Sequence, residues 1–171
     1  MSDSGRVDNA ELIKDLCRRD LKFLCGQFFK WDLWDAVHDD MEVILRKPSQ
    51  RKALVLPRDH SKSTFITVGW TIQNILKNPN IRILIANEVW DNSRKLLRQI
   101  KDQLEKSDLK HLFGDFSSNV WNADGIIVKQ RWKAQKDYTV GTTGTEAEST
   151  GGRYDLIIND DLMGLQNSWI S

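Results

Sequence analysis

The stretch from Ala53 to Thr64, A-L-V-L-P-R-D-H-S-K-S-T, constrains this chain more than any other. Ala53-Leu54-Val55-Leu56 is an apolar run with the length of a buried strand, and Phe65 to Leu76 suits a packed helix. A polar turn therefore joins strand to helix at Lys62-Ser63-Thr64. In a phosphate-binding loop the backbone N–H groups cradle phosphates, the lysine reaches the outer phosphates and the next hydroxyl binds Mg²⁺. Lys62 and Ser63 hold those two places, with Pro57, Arg58, Asp59, His60, Ser61 and Thr64 completing the loop. Leu56 and Ser61 stand where the pattern G-x-x-x-x-G-K-[ST] has glycines. Ser61 is small enough for backbone to approach a phosphate, but a positive φ there costs more than with glycine. Taken alone, the stretch reads equally well as a helix with a basic, hydroxylated first turn.

About a hundred residues on, the chain reads G-G-R-Y-D-L-I-I-N-D-D-L from Gly151 to Leu162. Leu156 to Ile158 is a second short buried strand, and it delivers two adjacent carboxylates at its C-terminal end, where open parallel sheets bind ligands. A nucleotide hydrolase with a phosphate loop needs one strand-end acid for Mg²⁺ and a second group to orient the attacking water. Asp160 suits the first role and Asp161 the second. Each motif is weak by itself, but the two occur in the required order and each closes an apolar strand.

P-R-D-H-S-K-S-T, then T-G-T-E-A-E-S-T-G-G-R-Y-D, then L-I-I-N-D-D-L resembles the ATPase domain of the large terminase subunit, the motor that packages double-stranded DNA into tailed-phage capsids. The resemblance runs from about Leu33 to the C-terminus. It implies a RecA-like P-loop fold, ATP and Mg²⁺ as ligands, and an arginine inside the loop and another before the Mg-binding strand, places taken by Arg58 and Arg153. Family members usually carry Glu where Asp161 stands. The resemblance also implies double-stranded DNA, a portal protein and a small terminase subunit as partners, a homo-oligomeric ring, and the host cytoplasm as location.

The 171 residues suit one domain with a real core, and 40% hydrophobic with 29% charged residues is a globular composition. A net charge of +1 gives no global polyelectrolyte signal, although a local basic patch can still follow a nucleic-acid backbone. Cys17 and Cys25 lack metal-ligand company and read as reduced core thiols. No stretch approaches the roughly 18 apolar residues of a membrane span.

Residues 1–9 are expected to form a disordered tail, 10–48 a small helical N-terminal lobe, and 49–171 an α/β core. In this core a mainly parallel sheet is sandwiched by helices, and the chain ends after the Mg-binding strand without a nuclease domain. Apolar positions 12, 13, 16, 17, 21 and 24 mark the first helix, and Trp34 to Arg46 a second. The aromatics from Phe28 to Trp34 read as core more readily than as an adenine platform. His38 is either a helix-surface residue or a nucleotide contact. Ile81 to Asn87 is a strong strand, and Glu88 to Lys106 an amphipathic helix with Leu96, Leu97, Ile100 and Leu104 inward. Further strands fall at 125–128 and 137–140. Arg131 to Lys136, with Trp132, suits a solvated hairpin better than a DNA contact. Gly141 to Gly152 reads as a loop that delivers Arg153.

At about 3.3 Å per residue, Arg153 should lie roughly 20 Å from the metal site, so it either pairs with Asp155 or another nearby acid, or serves a neighbouring subunit. Three functions share these features: a packaging ATPase, a helicase-like RecA-fold translocase, and a non-hydrolysing fragment that binds DNA or portal.

Overall fold

The computed structural model describes residues 9–56, 61–144 and 152–161. The chain is an α/β protein. Its four-stranded open sheet has the order β2-β3-β1-β4, with β1 at Ile83–Asn87, β2 at Gly125–Ile126, β3 at Val140–Gly144 and β4 at Leu156–Asn159. β1 pairs in parallel with both β3 and β4, while β2 runs antiparallel to β3, so the sheet is mixed.

The helices are α1 (Asn9–Arg19), α2 (Leu21–Phe23), α3 (Asp35–Arg46), α4 (Thr71–Lys77), α5 (Trp90–Leu104) and α6 (Ser107–Phe113). Wider π-helical turns extend α2 through Leu24–Phe28 and precede α4 over Ser63–Trp70. α5 buries Leu96, Leu97, Ile100 and Leu104, the face its periodicity marks. It is tied to the sheet where the Ser93 hydroxyl donates to the Thr143 carbonyl at 3.1 Å.

On β1 and β4 the buried residues Ile83, Ile85 and Ile158 share one face, because registered residues of parallel strands point the same way. On the other face Ile157 is 56% exposed and Asn159 is exposed too, so among the described residues β4 is covered on one side rather than sandwiched.

The N-terminal helices are not a separate body. One hydrophobic cluster runs from Cys17, Leu21 and Cys25 through Phe65, Val68 and Ile72 to Ile85 and Leu97. The Arg18 guanidinium donates to the Leu76 carbonyl at 3.1 Å, capping the C-terminal end of α4, where helix carbonyls lack partners. Glu42 accepts from the Leu21 amide at 2.7 Å and from Arg46 at 2.6 Å, fastening α3 to α2. Phe29 is buried and Phe28 and Trp31 pack on the cluster, so most of the aromatic run is core, whereas Trp34 is exposed. Leu12 and Leu16, read as part of the inner stripe of α1, are exposed. Both thiols are buried and free, and burial pushes Cys17 up to about 12 and Cys25 higher still, which leaves neither a nucleophile at neutral pH.

Three expectations need correction. Ala53 to Leu56 forms no strand: Leu54 and Leu56 touch the core, Val55 is 95% exposed, and a cleft separates this stretch from the free edge of β4. An apolar run becomes a strand only where a neighbour offers a ladder, and none lies within reach among the described residues. The strand expected at 137–140 begins at Val140 and takes in Gly141 to Gly144, because β1 pairs with exactly that glycine- and threonine-rich segment. His38 is not a surface residue. It is 2% exposed, with Nδ1 3.0 Å from the Trp34 amide and its ring edge-on to Phe65 at 4.8 Å, while Nε2 has no partner.

Gly69 marks a close approach of the N-terminal segment to the core. A Cβ there would meet the Cys25 sulfur at 2.7 Å and the Trp31 ring at 3.2 Å. Gly69→Ala is expected to destabilise the chain by about 1–3 kcal/mol through overpacking, read as a lower urea midpoint. Gly26→Ala, whose Cβ would have nothing within 4 Å, is the control.

Candidate functional site

Two parts of the chain 97 positions apart meet at the C-terminal end of β4. The Ser63 hydroxyl donates to Asp160 Oδ1 at 2.8 Å. Lys62 Nζ lies 3.5 Å from Asp161 Oδ1. Asp160 is placed by the sheet, since its amide donates to the Ala86 carbonyl at 2.9 Å and so continues the β1–β4 ladder by one residue. Ser63 is placed by the helix it begins. Phe65 closes a helical bond to the Ser61 carbonyl at 2.8 Å, so the amides of residues 62–64 lie in the first turn, where a helix leaves N–H groups unpaired and its dipole favours an anion.

Ser61 has φ +50°, the left-handed region where its pattern calls for glycine. Asp161 is left-handed too, at φ +46°. Non-glycine residues in this region cost about 1–3 kcal/mol each, and such strain gathers at functional sites. The lysine–aspartate pair is half open to solvent and weak, worth at most about 1 kcal/mol. An anion with more charge than a carboxylate can displace Asp161 from the ammonium.

Beside these residues lies a cleft of about 480 Å³ between residues 49–54 and the edge of β4. Lys52, Leu54, Lys62, Ile66, Asp160 and Asp161 are among the residues that line it. Among the described residues no three or more of His, Cys, Asp and Glu gather as a metal cage. Mg²⁺ needs no such cage, because it is commonly held by one or two carboxylates with phosphate and water completing the octahedron. The adjacent oxygens of Ser63 and Asp160 fit that demand.

Of the loop residues, Ser61, Lys62, Ser63 and Thr64 lie at this corner, while Pro57, Arg58, Asp59 and His60 fall outside the described residues. Arg153 is not brought to the site. It stands at the far end of β4, exposed, with its amide donating to Asp137 Oδ2 at 3.4 Å. Asp155, one of the acids open to it in the sequence, is taken by Arg82 in a two-pronged pair at 2.8 and 3.0 Å. Arg131 to Lys136 is a loop whose Trp132 is 71% exposed and whose Trp132 and Lys133 amides donate to Asn80 Oδ1.

The sequence reading missed the end of β1. Asn87 is buried and its Oδ1 accepts from the Val89 amide at 3.1 Å and from Asn92 Nδ2 at 3.4 Å. The Glu88 amide donates to the Asp161 carbonyl at 3.2 Å, which sets the Glu88 backbone beside that of Asp161. The signal was the one that exposed Asp160, an acid closing an apolar strand, but Glu88 was absorbed into the helix that follows.

Burial holds the Asp160 carboxyl above its ordinary range. The Ser63 hydrogen bond opposes this, the Asp161 charge adds to it and Lys62 works against it. The folded chain therefore binds this proton more tightly than the unfolded chain does. Ionising Asp160 works against folding, a penalty that is absent below the unfolded-state pKa and grows as pH rises through the folded one. Asp160→Asn should raise the urea midpoint at neutral pH, with the gain shrinking as the pH falls into the ordinary carboxylate range.

Compared with protein-family models, with curated proteins and with solved structures, the chain matches none.

Proposed function

We propose that this chain binds Mg·ATP and hydrolyses it, as the ATPase portion of a motor that drives double-stranded DNA into a viral capsid. The observation that carries the nucleotide reading is the 2.8 Å hydrogen bond from Ser63 to Asp160 beside the Lys62 ammonium. A hydroxyl on the first turn of a helix, a strand-end carboxylate and a lysine are the side chains a phosphate loop needs. Lys62 and the amides of residues 61–64 take the phosphates, Ser63 and Asp160 hold Mg²⁺, and Asp161 orients the attacking water. Held by Ser63 and Asp160, Mg²⁺ would supply positive charge that offsets the charge of the phosphates.

Arg58 acts from its own loop and Arg153 on the nucleotide of a neighbouring subunit, in keeping with the distance between Arg153 and the acids along β4. The RecA-like fold, DNA, the portal, the small terminase subunit, the ring and the host cytoplasm rest on the resemblance of the sequence motifs. In line with that location, no helix among the described residues is long and apolar enough to cross a membrane. A second reading, a piece that binds without turnover, is favoured by one observation: Ala53 to Leu56, which should feed the loop as a strand, stands outside the sheet.

Calorimetric titration with ATP, with and without Mg²⁺, tests the reading. Lys62→Ala is expected to lose at least about tenfold in affinity, or 1.4 kcal/mol, with an unchanged far-UV spectrum. Asp160→Asn should abolish the Mg²⁺ dependence, while Asp161→Asn leaves it. Parent-like binding by Lys62→Ala would remove the phosphate-loop assignment, and binding without any phosphate release would favour the second reading.

The arginine role has its own check. Arg153→Ala and Lys62→Ala chains, each inactive alone, should regain ATPase activity when mixed under assembling conditions. Co-assembly without recovery would return Arg153 to a structural role.

A further inference from the structure

The connection between β2 and β3 is a motif that the ATPase reading leaves unused. Residues 129–136, K-Q-R-W-K-A-Q-K, carry four cations and no acid in a chain whose net charge is +1. A basic run of this kind ordinarily belongs to a loose, solvated turn. Here the backbone is fixed. At the base of the loop the Thr139 amide donates to the Ile126 carbonyl at 2.8 Å, and the Lys129 amide to the Phe116 carbonyl at 2.9 Å. Further out the loop is held by Asn80, which is 4% exposed and whose Oδ1 accepts from the Trp132 amide at 3.2 Å and the Lys133 amide at 2.9 Å. Arg131 is engaged inside the loop, donating to the Asp137 carbonyl at 2.7 Å and to Gln135 at 3.0 Å.

This fixed backbone carries Trp132 with 71% of its surface exposed, and exposed Lys129, Lys133 and Lys136 within the same eight residues. Among the described residues none of the three lysine side chains has a hydrogen bond or an ion pair. The acids next to the loop are already answered, since Arg82 lies 3.7 Å from Asp137 and 2.8 Å from Asp155. Three positive charges are therefore left without a counter-ion. A single exposed tryptophan needs no explanation, but one on a fixed loop among unanswered cations suits a ligand that is both polyanionic and flat-faced. A single-stranded nucleic acid has both properties, whereas a duplex keeps its base faces stacked and an acidic peptide or lipid headgroup has no such face.

We propose that residues 129–136 bind single-stranded nucleic acid, with Trp132 stacking on a base and Lys129, Lys133 and Lys136 meeting the phosphates. Asn80 is a positioning residue, because it orders the backbone before the ligand arrives and so lowers the entropy cost of binding. Asn80 precedes β1 and the loop leads into β3, which places the surface at the N-terminal end of the parallel strands. The Ser63–Asp160 corner lies at their C-terminal end. The two sites do not compete for space, and the nucleic-acid surface stands without the ATPase reading.

The test uses the full chain without ATP and a labelled oligodeoxythymidylate of about twelve nucleotides, within the usual span of such sites. Fluorescence anisotropy gives the affinity over a range of salt, and thermal melting checks the fold. Trp132→Ala should weaken binding at least about fivefold, the lower end of what one base stack supplies, and Trp132→Phe should fall between it and the parent. The parent's affinity should fall with salt at a logarithmic slope of about −2, as three phosphate contacts on a single strand imply. Replacing Lys133 and Lys136 together by Gln should make that slope shallower by roughly 1.4. All these side chains are exposed, so the melting temperature should stay at the parent value.

A parent chain that does not bind the oligonucleotide overturns the proposal, and so does parent-like binding by Trp132→Ala. Equal affinity for a duplex of the same length, for polyglutamate or for vesicles containing phosphatidylserine would also overturn it and leave a patch that attracts any polyanion. Should Trp132→Ala fail to fold, Trp132→Phe decides through tryptophan emission. The oligonucleotide must then quench the parent more than this variant, and equal quenching removes the stack. Because no ATP is present, each of these outcomes leaves the nucleotide site untouched.

Discussion

Strand β1 is the constraint on which the rest of the molecule depends. It carries parallel ladders on both edges, to β3 and to β4, and its inward residues Ile83 and Ile85 have no exposed surface. At its N-terminal end Arg82 grips Asp155 with two guanidinium bonds and a third from its own amide, which sets the register of β4 against β1. A one-residue slip of β4 would turn Asp160 to the opposite face and separate it from Ser63. The clamp at one end of the strand pair therefore holds the chemistry at the other.

The candidate site concentrates features that do not favour folding. Asp160 is a buried carboxylate whose charge is opposed by desolvation, and Ser61 and Asp161 occupy backbone conformations that suit glycine better. The surrounding packing offsets these costs. The π-helical turns of Ser63–Trp70 are buried from Phe65 to Gly69, and the N-terminal helices press on them through Cys25 and Trp31. The helical lobe thus backs the helix that begins at Ser63, and Arg18 caps that helix at its far end.

Much of this was legible in the chain. α3, α5, β1 and β4 fall where their apolar spacing puts them, because a helix face or a strand that buries itself leaves its own period in the sequence. The pairing of Ser63 with Asp160 followed from motif chemistry. Illegible parts were those whose conformation is decided by a neighbour. Gly141 to Gly144 looks like a loop by composition, yet it is the strand beside β1, and Gly141 suits that place because a Cβ there would press on the Tyr138 ring at 3.3 Å. Ala53 to Leu56 looks like a strand and lies unpaired. Arg153 was free to pair with Asp155 in one dimension, and in three Arg82 arrives there first.

The sequence by itself determined the α/β class and the places of α3, α5, β1 and β4, since these depend on local period. Tertiary structure alone decided which backbones share a corner. The Glu88 backbone stands beside that of Asp161 only because two strands separated by more than sixty residues pair in one register, and no local pattern encodes that neighbour. Hydrogen bonding between strands is satisfied by whichever partner the packed core brings alongside, so proximity across the sheet belongs to the fold and not to the segment.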